Sequence, residues 1–331
     1  MHWKLKAGIQ NAIAALPSPV SYAAYYRMQR LFGGLARPDA VEPLSAGVET
    51  WTRILDRGMD PADKVFFEVG TGRAPFTPLA FWLMGARRTI TVDVNPYLKS
   101  EILRAGVEHI VANLPAVTKL FGGLLQQERI ARLVQWYTTE SFSLERCLAL
   151  CSIDYRSPAD AARTGLPAHS VDFHTSYTVF EHIPHDTLLQ ILREGNRITR
   201  ADGLFVHMID YSDHFSHSDP NISSINFLQY SDVEWARLAG NRYMYMNRLR
   251  HDDLIKLFED AGHDLVDTRV TVDKKALELL DSGLVHLEHR FGKKSREVLG
   301  IRDAWIVSQP ARAIHEPRVL TTVPLSNRVD A

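Results

Sequence analysis

Val65-Phe-Phe-Glu-Val69 followed at once by Gly70-Thr71-Gly72 constrains this chain more than any other stretch. An almost wholly apolar run of that length reads as a short strand buried on both faces. Two glycines in the next three residues let the backbone turn sharply and let a ligand approach it closely. The same theme recurs. Thr89 to Val94, Ile153 to Ser157, Val171 to Tyr177, Gly203 to Ile209, Leu265 to Val272 and Ala304 to Ser308 read as further strands. An apolar segment at Pro78 to Gly85, a segment at Leu188 to Ile198 with apolar residues among charges, and one at Asp252 to Ala261 closed by Gly262 read as the helices between them. Such alternation predicts an α/β fold: a seven-stranded, mostly parallel sheet with helices on both faces. Ligands of such sheets bind beyond the carboxyl ends of the strands, where the strand order reverses.

The rest of the chain arranges itself around that core. Residues 1–60 read as an N-terminal helical extension, 61–310 as the α/β domain and 311–331 as a tail with little pattern. Residues from about 98 to 150 are helical and too long for a simple crossover, so they read as an insertion. Residues from about 210 to 247 are irregular, rich in His, Asp, Ser and Asn, and form a second insertion; both are expected to overhang the strand ends. Met1 to Leu16 is amphipathic, with Trp3, Leu5, Ile9, Ile13 and Leu16 among Lys4, Lys6 and Gln10. It is expected to pack on the domain or on a second copy in a homodimer, and Trp3 with the lysines also fits a peripheral membrane contact.

Composition removes several classes. No apolar run approaches the ~20 residues that span a bilayer. With 38 basic and 39 acidic residues, the net charge of −1 supplies no global field for a nucleic-acid partner. Cys147 and Cys151, at i and i+4, make neither a disulfide framework nor a zinc site by themselves and read as two small apolar residues. Low cysteine use and no secretory signal point to the cytoplasm.

A bare Gly-x-Gly turn belongs to many α/β folds. The dinucleotide pattern continues to a third small residue, and here that position is Pro75, which lacks the free N–H that helps to hold a pyrophosphate. Asp93 ends the second strand, where a carboxylate can accept both hydroxyls of a ribose. Asp160-Ala-Ala-Arg-Thr-Gly-Leu-Pro167, then Ser170-Val-Asp172, then the fourth strand and Glu181-His-Ile-Pro184 complete a set of motifs, each near a strand end.

In that order, these motifs make residues 65 to 210 resemble the core of class I S-adenosylmethionine (SAM)-dependent methyltransferases, a Rossmann-like, seven-stranded type. The resemblance implies SAM as cofactor, with Glu68, Gly70, Thr71 and Gly72 around the methionine moiety and its amino group. It implies Asp93 on the ribose, Asp160 and the Ala161 amide on the adenine, and Ser176 with Thr178 flanking the sulfonium. Asp154 is an alternative adenine partner. The opening Trp-Lys-Leu-Lys, Thr91-Val-Asp-Val-Asn95 and Asn226-Phe-Leu…Asn247-Arg-Leu249 extend the likeness to bacterial methyltransferases associated with surface-polysaccharide gene sets. The expected acceptor is accordingly a small molecule or a glycan precursor.

Methyl transfer to an alcohol needs alignment and removal of a proton. The expected catalytic residues are His182 as general base and Glu181 orienting it, although a helix-capping Glu181 and a packed His182 fit the same spacing. The loop Asp210-Tyr-Ser-Asp-His-Phe-Ser-His-Ser-Asp219 carries ligand-type side chains, but such loops are more often solvated turns or acceptor contacts than metal sites, and no metal is expected. His207 reads as a satisfied core residue. Tyr243, Tyr245, Arg248 and Arg250 fit either a sugar-binding patch or packing. Two other functions remain open: an NAD-dependent oxidoreductase on a similar sheet, and a non-catalytic SAM-binding protein.

Overall fold

The structure is a computed structural model that describes residues 1–33, 35 and 40–311. The seven strands are β1 (Val65–Val69), β2 (Arg88–Val92), β3 (Ile153–Arg156), β4 (Val171–Tyr177), β5 (Thr199–Asp210), β6 (His263–Val272) and β7 (Ile301–Pro310). They form one sheet in the order β3-β2-β1-β4-β5-β7-β6. Strands β1 to β5 pair in parallel, and β7 runs antiparallel to both β5 and β6. The expected fold class is what the chain adopts. The order reverses between β1 and β4, so the crevice at their carboxyl ends is where a ligand site belongs.

Period-2 alternation assigns the side chains of each strand to the two faces. Phe66, Phe173, Leu204, Val206 and Trp305 point to one face, against α3 (Val41–Leu55) and α4 (Phe76–Leu83). Val65, Phe67, Val69, Phe205 and Ile306 point to the other, against α9 (His185–Ile198) and α11 (His251–Asp260). Asp172 ties the sheet together at its amino end, its carboxylate accepting from the Val65 amide at 2.8 Å.

The insertion consists of α5 (Ser100–Ala112), α6 (Leu114–Phe121), α7 (Gln127–Thr139) and α8 (Leu144–Leu150). It does not overhang the strand ends as a long insertion there was expected to. Its apolar stripe, including Ile102, Val107, Leu133, Trp136 and Cys147, joins the core beneath α3 and α4. Cys147 and Cys151 are free, buried thiols in that layer.

Two N-terminal helices, α1 (Trp3–Ala14) and α2 (Ser18–Phe32), occupy the space that the insertion leaves. Trp3 is only 3% exposed and sits against Phe215, Tyr230 and Trp235. A membrane contact through Trp3 is therefore corrected: its indole belongs to a third core cluster built from the 215–246 segment and Phe291. The Trp3 amide donates to Asp219 at 2.8 Å, and Lys6 Nζ to Ser218 at 2.8 Å. That segment is less irregular than its composition suggests, because it contains α10 (Asp232–Ala239), started by a Ser231–Glu234 capping box. Helices α12 (Lys274–Asp281) and α13 (Arg296–Leu299) lead into β7. Among the described residues no helix is long and apolar enough to cross a membrane. The expected tail, apart from Ala311, lies outside the described residues.

Candidate active site

A cleft of about 750 Å³ opens at the carboxyl ends of β1, β2 and β4, within the size range of small-molecule sites. Gly70, Gly72, Asp93, Asp160, Ala161, Thr178 and His182 all line it. The turn after β1 forms because Gly70 and Gly72 take positive φ values of 88° and 66°. At Gly70 a side chain is excluded twice: by that φ, and because a Cβ would lie 2.5 Å from Val179 Cγ2. Gly70→Ala should destabilise the fold by about 1–3 kcal/mol as Val179 is forced aside. Urea unfolding of the purified variant checks this, and an unchanged midpoint would refute the crowding argument.

Asp93 is held at the cleft wall by two backbone amides. Oδ2 accepts from Gly72 at 3.0 Å and Oδ1 from Asn95 at 2.9 Å. Each oxygen keeps a further lone pair. Burial raises its pKa above the ordinary carboxylate value, and the two amides oppose that. Asp160 stays at the opposite end of the cleft, its Oδ1 accepting from the Ala162 amide at 2.8 Å, beside buried Ala161. Asp154, the alternative, points elsewhere: Arg88 and Arg156 both bond its Oδ2, at 2.5 and 2.9 Å.

Three expected site residues lie behind the cleft wall, not in it. Glu68 is buried within the sheet, where its Oε2 accepts from Thr91 Oγ1 at 2.6 Å. Thr71 turns the same way, 2.6 Å from Thr91 Oγ1. Together they brace the glycine turn from below. Burial pushes the Glu68 pKa up to about 8, against the Thr91 hydrogen bond and with help from Asp93. Ser176 bonds His207 Nδ1 at 2.7 Å on the face covered by α9 and α11. It is not among the residues that line the cleft; Thr178, past the end of the strand at φ 51°, does reach it. His207 is fully buried, as a core histidine should be.

His182 stands where a base was expected, in the short 3-10 turn Phe180–His182 after β4. Its ring opens onto the cleft, with Nδ1 2.8 Å from the Tyr245 carbonyl oxygen. That contact makes Nδ1 the protonated nitrogen and leaves the Nε2 lone pair free. Protein on most sides, and then His214, push its pKa down to about 4. So weakly basic a ring takes protons poorly at neutral pH, which weighs against the expected general-base role without overturning it. Glu181 does not orient it by a hydrogen bond; its carboxylate is buried beside Asp210, and burial holds its pKa well above the usual value.

The outer wall holds residues that the motif reading missed. Tyr25 and Gln29 come from α2, and Arg73 and Tyr97 from the β1 and β2 exits; beside them stands Tyr243 of the expected patch, from the segment after α10. Tyr25 and Tyr243 stack with ring centroids 3.8 Å apart. Arg73 lies over the Tyr97 and Tyr26 rings at 4.7 and 5.3 Å, and Nη2 donates to Gln29 at 3.2 Å. No carboxylate among the described residues forms an ion pair with it. The one available signal was the Tyr22, Tyr25, Tyr26, Gln29 spacing, which marks a helix face dense in polar aromatics. Arg248 and Arg250 are not in the wall. Both are buried and bond backbone carbonyls, Arg248 those of Phe227 and Tyr230, with an ion pair to Asp232.

A second cleft, at the amino ends of the strands, is lined by Lys64, Arg87, Asp172, Arg200 and Asp202. Arg200 pairs there with Asp172 and Asp202 at 3.6 and 3.5 Å, and the cleft lies at the end of the sheet opposite the switch point.

No protein-family model and no curated protein matches the chain. Among solved structures, the chain is similar to a SAM-dependent methyltransferase from Methanosarcina mazei. The identity is 16%, over 78% of this chain and 97% of that one, with a TM-score of 0.42. It is also similar to geranyl diphosphate C-methyltransferase from Streptomyces coelicolor, solved with Mg2+, geranyl diphosphate and S-adenosyl-L-homocysteine. There the identity is 13%, over 81% of this chain and 80% of that one, with a TM-score of 0.44. These are loose likenesses, and the functional reading rests on the residues of this chain.

Proposed function

We propose that the cleft binds SAM and that the protein transfers the methyl group to an oxygen of a small molecule or glycan precursor. The observation that carries this reading is Asp93. Its two oxygens, each already aimed by a backbone amide, face the cleft beside Gly70 and Gly72. A ribose diol is the natural donor pair for such a carboxylate. Asp160 and Ala161 would take the adenine edge, and the backbone around Gly70 the amino-acid end. Arg73 supplies a guanidinium that forms no ion pair among the described residues, suited to the α-carboxylate of the methionine moiety.

SAM supplies an electrophilic methyl group when bound. The chain's own part is to hold the acceptor in line with it and keep water out. Tyr243 and Tyr245 present aromatic surface and hydroxyls to that side of the cleft, which suits a polyol or sugar. Pro75 and the antiparallel β7 set between β5 and β6 disfavour the dinucleotide reading, whose sheet lacks such a strand.

Calorimetry with S-adenosylhomocysteine is expected to show one site per chain, and Asp93→Ala should weaken it at least tenfold, about 1.4 kcal/mol. Folded protein that fails to bind at high micromolar ligand would overturn the proposal. NADH fluorescence should not respond, and a response would favour the oxidoreductase. If S-adenosylhomocysteine binds but no acceptor is ever methylated, the non-catalytic reading stands.

A further inference from the structure

Glu181, His182 and His214 each place one ligand-type atom within 4.8 Å of the others. They come from separate elements: the turn after β4 for the first two, the loop after β5 for the third. Glu181 is 3% exposed, and neither of its carboxylate oxygens has a hydrogen-bond partner among the described residues. The backbone amides of Glu181 and Asp210 face it without reaching hydrogen-bond geometry. A buried carboxylate left without partners is costly, and a bound cation is one of the few things that offsets the cost.

The two imidazoles are arranged as ligands are. His182 is locked by the Tyr245 carbonyl at Nδ1, which leaves Nε2 as the lone-pair nitrogen. A backbone carbonyl on the far ring nitrogen is the usual support of a metal-bound histidine. His214 Nε2 lies 3.3 Å from Asp210 Oδ2, a carboxylate able to fix that ring. The two rings meet edge to face, with centroids 4.9 Å apart. The turn that carries Glu181 and His182 is itself pinned, since Asn247 Nδ2 donates to the Phe180 and Ile183 carbonyls at 2.7 and 2.8 Å.

We propose that Glu181, His182 and His214 bind one divalent first-row transition-metal ion of the zinc class, with open coordination positions facing the cleft through His182. Two imidazoles and one carboxylate form a ligand set that suits such ions, and three protein ligands leave room for an exogenous oxygen. That oxygen would be the hydroxyl or carboxylate of the methyl acceptor, a clause that rests on the methyltransferase reading. The metal site itself does not. It departs from the expectation of a metal-free loop at Asp210–Asp219, and of that loop only His214 takes part.

The test uses full-length untagged protein stripped with chelator. Calorimetry with Zn2+ and visible absorption with Co2+ should report one ion per chain, with cobalt bands typical of low-coordinate nitrogen and oxygen ligands. Glu181→Gln and His214→Ala should each weaken binding by roughly tenfold or more, and His217→Ala should leave it unchanged. Absence of a stoichiometric site in the folded wild type, or wild-type affinity in folded His214→Ala, overturns the proposal. Should Glu181→Gln fail to fold, the partly exposed His214 decides. S-adenosylhomocysteine titrated into the same chelated protein separates the two readings. Binding there with no metal site leaves methyl transfer standing alone, and a metal site without it leaves the ion standing alone.

Discussion

Replacing Arg250 by methionine should lower the free energy of unfolding by about 3 kcal/mol or more. The Arg250 side chain is fully buried. It donates to the carbonyls of Tyr211 at 2.6 Å, Leu299 at 2.8 Å and Ile301 at 2.5 Å. Methionine fills much of the same volume but leaves three acceptors without donors, each costing about 1–3 kcal/mol before relaxation and water entry reduce the sum. Burial lowers the guanidinium pKa to about 10, so the group stays charged at neutral pH, with Asp252, Asp253 and Asp210 contributing from nearby. The arginine thus fastens the exit of β5 to the entry of β7, and the loop it fastens carries Asp210 and His214. Chemical denaturation of the variant measures the loss. A change below 1 kcal/mol would mean that water replaces the side chain without cost.

Glu68→Gln should gain stability over the wild type as pH rises. In the native state the Glu68 carboxyl holds its proton up to about 8, against 4.5 ordinarily, because it is buried beside Asp93. The unfolded chain releases that proton first. The native contribution of Glu68 is therefore complete below about pH 4.5 and is lost as pH climbs through 8. The amide variant has no proton to lose. The difference in unfolding free energy should shift in its favour by roughly 3–5 kcal/mol between pH 5 and pH 9. Denaturation curves of both proteins across that range test it, and a difference independent of pH would show that Glu68 titrates as an ordinary carboxylate.

All seven strands were legible in the sequence, the central ones as short apolar runs and β3 and β6 as short runs of β-branched and aromatic residues among polar ones. The insertion at 98–150 was legible as helix but not in position. An amphipathic stripe says that a face is buried, not which neighbour buries it. Ser176 shows a sharper limit. At the end of a strand, successive residues alternate faces, so an error of one position moves a side chain from the cleft to the core. Ser176 shares its face with His174 and faces His207, and the left-handed Thr178 turns the chain into the cleft. Asp93, Asp160 and the glycines were found because each sits at a turn whose chemistry is local. Tyr25 and Gln29 were missed, and Tyr243 was named without its partner, because their meeting depends on how α1 and α2 fold back.

That fold-back couples distant parts of the chain. Trp3 is anchored at one end, by Asp219 and the Trp235 cluster, and the Tyr25–Tyr243 stack lies at the other. Ser21 bonds the Tyr243 hydroxyl at 2.6 Å, and Tyr22 bonds Asn95, next to Asp93, at 2.9 Å. Residues more than two hundred positions apart thus make a single wall on the cleft. Whatever free energy an occupant gains by pressing on Tyr25 or Tyr243 is added to the docking of the N-terminal helices, and their docking returns it in equal measure. The place of Tyr25 and Tyr243 in the cleft wall is therefore tied to the docking of the first two helices, which Trp3 secures from the other end.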